Sequence, residues 1–177
     1  MKKKAIILSG NLVQDHEFIY PFYRLLEEGF SVDVCLNEGK PVKGILGTDI
    51  PPNKNHPVKN INSINTIDYD FLIIPGGVKA LEKVKKNKDI INFIANFHRE
   101  DKLIACICSG AQLLISAKIV KGKKISGYYS MKDDIENAGA IYTDLPAVID
   151  GKIITTAHYK DLGPWMKAAL NLYYKEN

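Results

Sequence analysis

A run of apolar residues with strand character ends abruptly at a cysteine in segment 103–114, which reads LIACICSGAQLL. Ser109 and Gly110 follow Cys108, and an apolar segment with helical spacing begins directly after them. Small residues at these two positions permit a sharp strand-to-helix turn and leave room for a group that approaches the sulfur. The segment therefore predicts a nucleophile elbow in an α/β protein, with Cys108 at the turn.

Cys108 is the candidate reactive group of this elbow. A thiol at the N-terminus of a helix faces unpaired backbone N–H groups and the positive end of the helix dipole, and both favour the thiolate. We therefore expect the pKa of Cys108 to be lowered. The alternative is a small buried hydrophobic residue, which is the usual role of an isolated cysteine.

An alternation of strand and helix opens the chain. Residues 5–9 and 31–36 have the apolar composition of buried strands, and between them an amphipathic helix starts near Asp15 and ends at Gly29. A β-α-β unit of this kind usually forms a parallel pair of strands. Residues 37–62 are rich in Gly, Pro, Asn and Lys, and this composition predicts a short hairpin or an irregular excursion.

A further apolar strand, residues 70–74, runs into the glycine pair Gly76 and Gly77. Ligands of open α/β sheets bind at the carboxyl ends of the strands, so special turns at Gly76 and Cys108 predict a site between them. Glycine N–H groups can approach a ligand closely and build an oxyanion site. We expect one domain over residues 1–177, a three-layer α/β/α sandwich with a mostly parallel sheet, similar to flavodoxin-like and class I glutamine amidotransferase-like folds.

Composition narrows the class of function. The 177 residues include 24 Lys and Arg against 20 Asp and Glu, and the lysine clusters at 83–86 and 121–124 lack interleaved aromatic residues, so no nucleic-acid partner is expected. No stretch reaches the ~20 apolar residues of a membrane span. The 3 cysteines have no regular spacing and favour a reducing, cytoplasmic setting. Metal-ligand spacing and a phosphate-binding glycine loop are both missing, so neither a metal nor a cofactor is expected.

Several segments, in order along nearly the whole chain, resemble the ThiJ/PfpI family. They are DHEFIYP at 15–21 with RLLEEG at 24–29, FLIIPGG at 71–77, ICSG at 107–110, KDDIENAGA at 132–140, and the stretch 148–165. This family includes PfpI-type intracellular proteases, amidases and the Parkinson-associated protein deglycase. The resemblance implies the fold given above and a homodimer or homohexamer.

The resemblance also implies roles for single residues. Cys108 corresponds to the reactive cysteine of the family. Glu17 corresponds to the acidic side chain that reaches this cysteine from the first helix, often as a protonated carboxyl that donates a hydrogen bond to the sulfur. Burial beside an incipient negative charge would keep such a carboxyl neutral. Gly76 and Gly77 correspond to the backbone oxyanion site, which the N–H group of Ser109 would complete.

Two departures from the family pattern affect the predicted chemistry. PfpI-type proteases have a histidine directly after the cysteine, where it can act as a general base, whereas this chain has Ser109. His158, at the end of a predicted strand where many relatives carry arginine, either supplies the base, binds an anionic group, or makes ordinary hydrogen bonds. Glu82 lies near the acidic residue that a neighbouring subunit contributes in PfpI-like members, but the alignment needs one extra residue after Gly77.

Two functions fit these residues. In the first, a cofactor-independent cysteine enzyme adds the Cys108 thiolate to a small carbonyl or amide, as a glyoxalase, deglycase, amidase or peptidase does. Small dicarbonyls are easier substrates than peptides here, because no amine leaving group has to be protonated. In the second, a non-enzymatic redox sensor or chaperone-like stress protein undergoes oxidation at Cys108, and Glu17 holds the oxidised sulfur. Catalytic turnover separates the two.

Overall fold

Strands and helices alternate along the chain. The strands are β1 (Lys4–Ser9), β2 (Ser31–Leu36), β3 (Val42–Lys43), β4 (Asp49–Ile50), β5 (Val58–Lys59), β6 (Phe71–Ile74), β7 (Leu103–Ile107), β8 (Lys124–Ile125), β9 (Ile141–Tyr142), β10 (Val148–Asp150) and β11 (Ile153–Thr156). The helices are α1 (Asp15–Glu27), α2 (Val78–Val84), α3 (Lys88–Arg99), α4 (Ala111–Ser116), α5 (Lys132–Asn137) and α6 (Leu162–Glu176). The structure, a computed structural model, describes residues 3–176.

A sheet of 7 strands has the order β10-β11-β7-β6-β1-β2-β5. Its neighbouring strands are parallel, except that β10 and β11 form an antiparallel hairpin around the turn at Asp150 and Gly151. This topology confirms the predicted mostly parallel α/β sandwich. The register aligns Thr156 with Ile107 and Ile74 with Cys106, so β11, β7 and β6 end at one edge of the sheet.

Helices cover both faces of the sheet. On one face, α1 and α6 bury Phe18, Phe22 and Trp165 against the strands. On the other face, α3, α4 and α5 bury a second apolar cluster that includes Phe97 and Leu114. The central strands are therefore buried on both sides, which explains why their sequences are continuous apolar runs. No helix within residues 3–176 is long and apolar enough to cross a membrane.

The excursion between β2 and β6 is more ordered than its composition indicates. β3 and β4 form the predicted hairpin. β5 adds an edge strand to the main sheet, which the sequence did not predict, because only Val58 and Lys59 pair there. The N-cap of α1 is Gln14, since the Gln14 side chain accepts a hydrogen bond from the Glu17 N–H group. This cap fixes the first turn of α1, on which Glu17 lies.

Candidate active site

Cys108 lies at the turn between β7 and α4. A single 3-10 turn, Cys108–Gly110, joins the two elements. The φ angle of Cys108 is 60°, in the left-handed region that residues other than glycine seldom adopt. A Cβ atom on Gly110 would lie 2.8 Å from the Cys106 Sγ atom and 2.8 Å from the Ile74 carbonyl oxygen, so the turn requires glycine there. The predicted strand-to-helix turn is therefore present, and its backbone is strained at the candidate nucleophile.

Glu17 reaches the turn from the first turn of α1. Its side chain is fully buried, and its Oε2 atom accepts a hydrogen bond of 2.7 Å from the Gly76 N–H group. A Cβ atom on Gly76 would lie 2.5 Å from Glu17 Oε2 and 3.1 Å from Cys108 Sγ. The carboxyl and the sulfur therefore crowd the same side of Gly76. The structure brings together Glu17, Gly76 and Cys108, three residues that the sequence assigned to one site.

Burial determines the protonation of this pair. It raises the pKa of Glu17 to about 7, although the hydrogen bond from the Gly76 N–H group and the neighbouring Cys108 thiol act to lower it. Near neutral pH a large fraction of the molecules therefore carries a protonated carboxyl, which can donate as well as accept a hydrogen bond. Burial also raises the pKa of Cys108 to about 12, and the negative charge of Glu17 adds to this effect.

The expectation of a lowered thiol pKa is therefore wrong. The sequence argument considered the N–H groups at the start of a helix and left out the cost of burying a thiolate. The N–H and hydroxyl groups of Ser109 favour the thiolate, but they do not outweigh burial. The helix that follows the 3-10 turn has 6 residues, so its dipole contributes little.

Each glycine of the pair donates a hydrogen bond to a side chain of the site. The Gly77 N–H group donates a buried hydrogen bond of 2.9 Å to Ser109 Oγ, while the Gly76 N–H group donates to Glu17. Gly77 has a φ angle of 107°, and a Cβ atom there would lie 2.7 Å from the Gln14 backbone nitrogen. Both amides thus have internal acceptors, and the oxyanion role of Gly76, Gly77 and Ser109 stays a prediction. Ser109 holds the glycine turn against the cysteine turn.

His158 follows the end of β11. Its Nδ1 atom accepts a hydrogen bond of 3.2 Å from the Lys160 backbone N–H group. An accepting Nδ1 carries no proton, so in the neutral ring the hydrogen lies on Nε2. The other nitrogen of this ring is therefore a donor, which favours binding of an anionic or carbonyl oxygen over action as a general base. Both roles stay predictions.

Two further expectations concern Glu82 and metal binding. Glu82 is exposed on α2, and its role across a subunit interface stays a prediction. Among residues 3–176, no group of three or more His, Cys, Asp and Glu side chains could hold a metal ion.

Two tyrosines close to the cysteine were missed by the sequence reasoning. Tyr128 and Tyr129 lie between β8 and α5, and the Tyr128 N–H group donates a hydrogen bond of 3.1 Å to the Cys108 carbonyl oxygen. The apolar residues of this segment show neither helical nor strand periodicity, so the sequence pattern does not predict where the segment lies in the fold. One available signal is Gly127: a Cβ atom there would lie 2.8 Å from the Ile135 side chain, so the chain passes close to α5 just before the tyrosines.

Fold and site together define a three-layer α/β protein with a cysteine on a nucleophile elbow and a buried carboxyl beside it. Residues 3–172 match the profile of the DJ-1/PfpI family. The chain belongs to the DJ-1/PfpI family.

Relatives cover nearly the full length of the chain. Deglycase PfpI of Pyrococcus furiosus is 34% identical over 169 residues, which are 96% of this chain and 98% of that protein. General stress protein 18 of Bacillus subtilis is 32% identical over 178 residues, 99% of this chain and 100% of that protein. A crystal structure of a two-domain protein from Anabaena variabilis, with DJ-1/ThiJ/PfpI-like and ferritin-like domains, matches with a TM-score of 0.87 at 32% identity. The match covers 96% of this chain and 48% of that chain.

Proposed function

We propose that this chain is a cysteine enzyme that acts on a small dicarbonyl compound such as methylglyoxal, with glyoxalase-like or deglycase-like chemistry. The observation that carries the proposal is the placement of the Glu17 carboxyl and the Cys108 sulfur on one side of Gly76. The relative named Deglycase PfpI, at 34% identity, supports this class of substrate. The side chains of the site supply the nucleophile and a proton carrier, so the proposal invokes no cofactor.

The first step joins the sulfur to the aldehyde carbon. A bond forms between Cys108 Sγ and that carbon, and the C=O π bond opens. Because the pKa of the thiol is raised, Cys108 reacts as its proton leaves rather than as a standing thiolate. The Glu17 carboxylate takes this proton and the neutral carboxyl returns it to the new alkoxide, which yields a hemithioacetal. A carboxyl with a pKa of about 7 can do both near neutral pH.

The second step moves hydrogen between the two carbons. The Glu17 carboxylate removes the proton from the carbon bound to sulfur, which gives an enediol, and returns a proton to the neighbouring carbon. The product is a lactoyl thioester of Cys108. Water then cleaves the C–S bond, releases lactate and restores the thiol. One methylglyoxal and one water contain the atoms of one lactic acid, so the sequence needs no oxidant or reductant.

This chemistry also fits the side chain at position 109. Peptide hydrolysis must protonate a departing amine, which is the task of a histidine beside the cysteine. Isomerisation of a dicarbonyl releases no amine. Ser109 instead accepts a hydrogen bond from Gly77 and keeps the two turns together.

Turnover by matched variants tests the proposal. Methylglyoxal consumption and D- and L-lactate formation are measured for the wild type, Cys108→Ser and Glu17→Gln, in buffers free of thiols and trace metals. We expect each variant to lose about 100-fold or more of the wild-type rate. Cys35→Ala, which changes a buried cysteine of β2, is the control that keeps its activity. A wild type without turnover, or a Cys108→Ser variant with full activity, would contradict the proposal.

The redox-sensor hypothesis is the second candidate, and the relative named General stress protein 18 favours it. A sensor shows stoichiometric oxidation of Cys108 by mild peroxide and no lactate formation. Mass spectrometry of the peptide that contains Cys108 measures this oxidation, and Glu17→Gln reports whether the carboxyl holds the product.

A further inference from the structure

A connected group of aromatic rings lies beside the candidate active site. We call it the aromatic rim and define it as His16, Tyr128, Tyr129, His158 and Tyr159. The ring centroid of His158 is 4.0 Å from that of Tyr159 and 6.2 Å from those of Tyr128 and Tyr129. His16 joins the group through Tyr159, at 5.4 Å. Tyr128, Tyr129 and Tyr159 are 37%, 42% and 44% exposed, so their rings are open to a ligand.

Three separate connections place the aromatic rim next to Cys108. The Tyr128 N–H group donates to the Cys108 carbonyl oxygen. Thr156 pairs with Ile107, so His158 and Tyr159 follow the end of β11 directly beside the turn that holds Cys108. His16 precedes Glu17 on α1. The rings therefore belong to three parts of the chain that converge beside the reactive turn.

The polar groups of the rim restrict what it can bind. Lys160 holds its ammonium 5.7 Å from the Tyr129 ring centroid, which places a positive charge at the rim and disfavours a cationic ligand. Nδ1 of His158 accepts from the Lys160 N–H group, so in the neutral ring the donor is the Nε2–H group. Aromatic faces favour planar groups in stacked or edge-on contact. The rim thus suits a planar group without positive charge.

We propose that the aromatic rim is the subsite for the substituent carried by the carbonyl substrate, and that it selects a planar aromatic group, neutral or anionic, over a methyl group. This inference rests on the proposed function for the carbonyl group that meets Cys108. It adds that the preferred substrates are aromatic ketoaldehydes of the phenylglyoxal type. His158 Nε2–H donates to an oxygen of this substrate.

A pair of alkylating reagents tests the subsite without requiring turnover. 2-Bromoacetophenone and bromoacetone present the same bromomethyl ketone and differ only in a phenyl or a methyl group. In each case the sulfur forms a bond to the methylene carbon, bromide leaves, and the thiol proton goes to Glu17 or solvent. The rate of alkylation at Cys108 is followed by peptide mass spectrometry, and the phenyl-to-methyl ratio is divided by the ratio for glutathione.

We expect a corrected ratio of about ten or more for the wild type, with saturation by the phenyl reagent. Tyr128→Leu and Tyr159→Leu each remove one ring and should bring the ratio to within about threefold of glutathione. Tyr159→Leu changes a half-exposed side chain and serves if Tyr128→Leu does not fold. Tyr174→Leu is the matched control, because Tyr174 is an exposed tyrosine of α6 outside the rim.

Charge is tested with a third reagent, the para-trimethylammonio derivative of 2-bromoacetophenone. We expect it to alkylate Cys108 more slowly than the parent compound after correction by glutathione, since Lys160 repels the cation. A corrected rate above that of the parent would overturn the charge preference.

Each other outcome also decides the proposal. A wild-type ratio equal to that of glutathione, an unchanged ratio in both rim variants, or no alkylation of Cys108 by either ketone would overturn the subsite. A phenyl preference without any dicarbonyl turnover would support the subsite and contradict the proposed function. Turnover of methylglyoxal without a phenyl preference would do the reverse.

Discussion

Glu17 is a fully buried carboxyl whose neighbours are a backbone amide and a thiol, not a cation. A charged carboxylate in such surroundings lacks the compensation that an ion pair provides, so the protein tolerates it by holding it partly protonated. The same property suits Glu17 to the proton transfers of the proposed mechanism. Its cost to stability and its proposed use in chemistry have one physical origin.

The pH dependence of stability follows from this burial. Folding raises the pKa of Glu17 from 4.5 to about 7, so the folded state binds this proton more tightly than the unfolded state. The stabilisation that the Glu17 proton gives to the folded state is fully present below pH 4.5 and is lost as the pH rises through 7. We expect the free energy of unfolding of the wild type, relative to Glu17→Gln, to fall by about 3 kcal/mol up to about pH 8. Urea denaturation measures it, and a difference independent of pH would refute the raised pKa.

The site also requires glycine at position 76. The added Cβ atom of Gly76→Ala would lie 2.5 Å from Glu17 Oε2 and 2.8 Å from Cys108 Cβ, which forces the pair apart. We expect lactate formation to fall by about 100-fold, because proton transfer depends on contact between the two groups. Gly163→Ala is the control, since a Cβ atom there meets nothing within 4 Å. Equal activity of the two variants would show that the spacing at Gly76 is unimportant.

For the residues of the site, the sequence predicted which side chains lie together but not their protonation states. The cysteine, the small residues after it and the family pattern around Glu17 were sufficient to place both groups in one site. The protonation of Cys108 depends on how much protein surrounds the sulfur, and packing from distant parts of the chain decides that. The tautomer of His158 likewise depends on a backbone N–H group whose direction the sequence does not specify.

Among the elements, the β3–β4 hairpin is attached to the start of α1 through one carboxylate. Asp15 is buried and accepts hydrogen bonds from the N–H groups of Leu46 and Thr48, at 2.8 and 3.3 Å, and from the Thr48 hydroxyl. Burial acts to raise the pKa of Asp15, but these hydrogen bonds outweigh it and hold the pKa below its usual value. The first turn of α1, which carries Glu17, is thus fixed from outside the helix.

Removal of this carboxylate should loosen the hairpin. Asp15→Ala leaves two backbone donors without their acceptor, and we expect a loss of about 1–3 kcal/mol in the free energy of unfolding. Faster amide exchange at Leu46 and Thr48 should accompany it. Asp49→Ala in the same hairpin breaks only exposed ion pairs with Lys43 and Lys54 and should change little. Similar exchange rates in both variants would contradict the anchoring role.

Elements with a clear apolar period were the ones that the sequence could predict. The buried strands and α1 are such elements, and they were placed correctly to within a few residues. β5 was missed because only two residues pair at the sheet edge. The segment of Tyr128 and Tyr129 was missed because its position depends on a hydrogen bond to Cys108. Such a tertiary contact produces no periodic pattern of apolar residues in the sequence.

The outer face of α1 carries a groove lined largely by apolar and aromatic side chains. A groove of about 560 Å³ is lined by His16, Ile19, Tyr20, Tyr23, Arg24, Glu27 and Leu162. Tyr20 and Tyr23 are 37% and 51% exposed. We propose that a second copy of the chain covers this groove in a homodimer or homohexamer, because exposed apolar patches are commonly buried by association.

Sedimentation velocity tests this assembly. We expect the wild type to sediment as a dimer or hexamer, and a variant with Tyr20→Asp and Tyr23→Asp as a monomer, since charge in an apolar interface is costly. Ile149→Asp, on the exposed edge strand β10, is the control that keeps the assembly. A monomeric wild type, or an assembled double variant, would refute the proposal.

Detection of a covalent intermediate at Cys108 tests whether this cysteine is the nucleophile. Wild type is mixed with methylglyoxal, quenched with acid at short times, and the peptide containing Cys108 is analysed by mass spectrometry. We predict that this cysteine gains the mass of one methylglyoxal at least as fast as lactate forms, and loses it when the substrate is exhausted. Lactate formation without an adduct on Cys108, or an adduct that never turns over, would show that Cys108 is not the catalytic nucleophile.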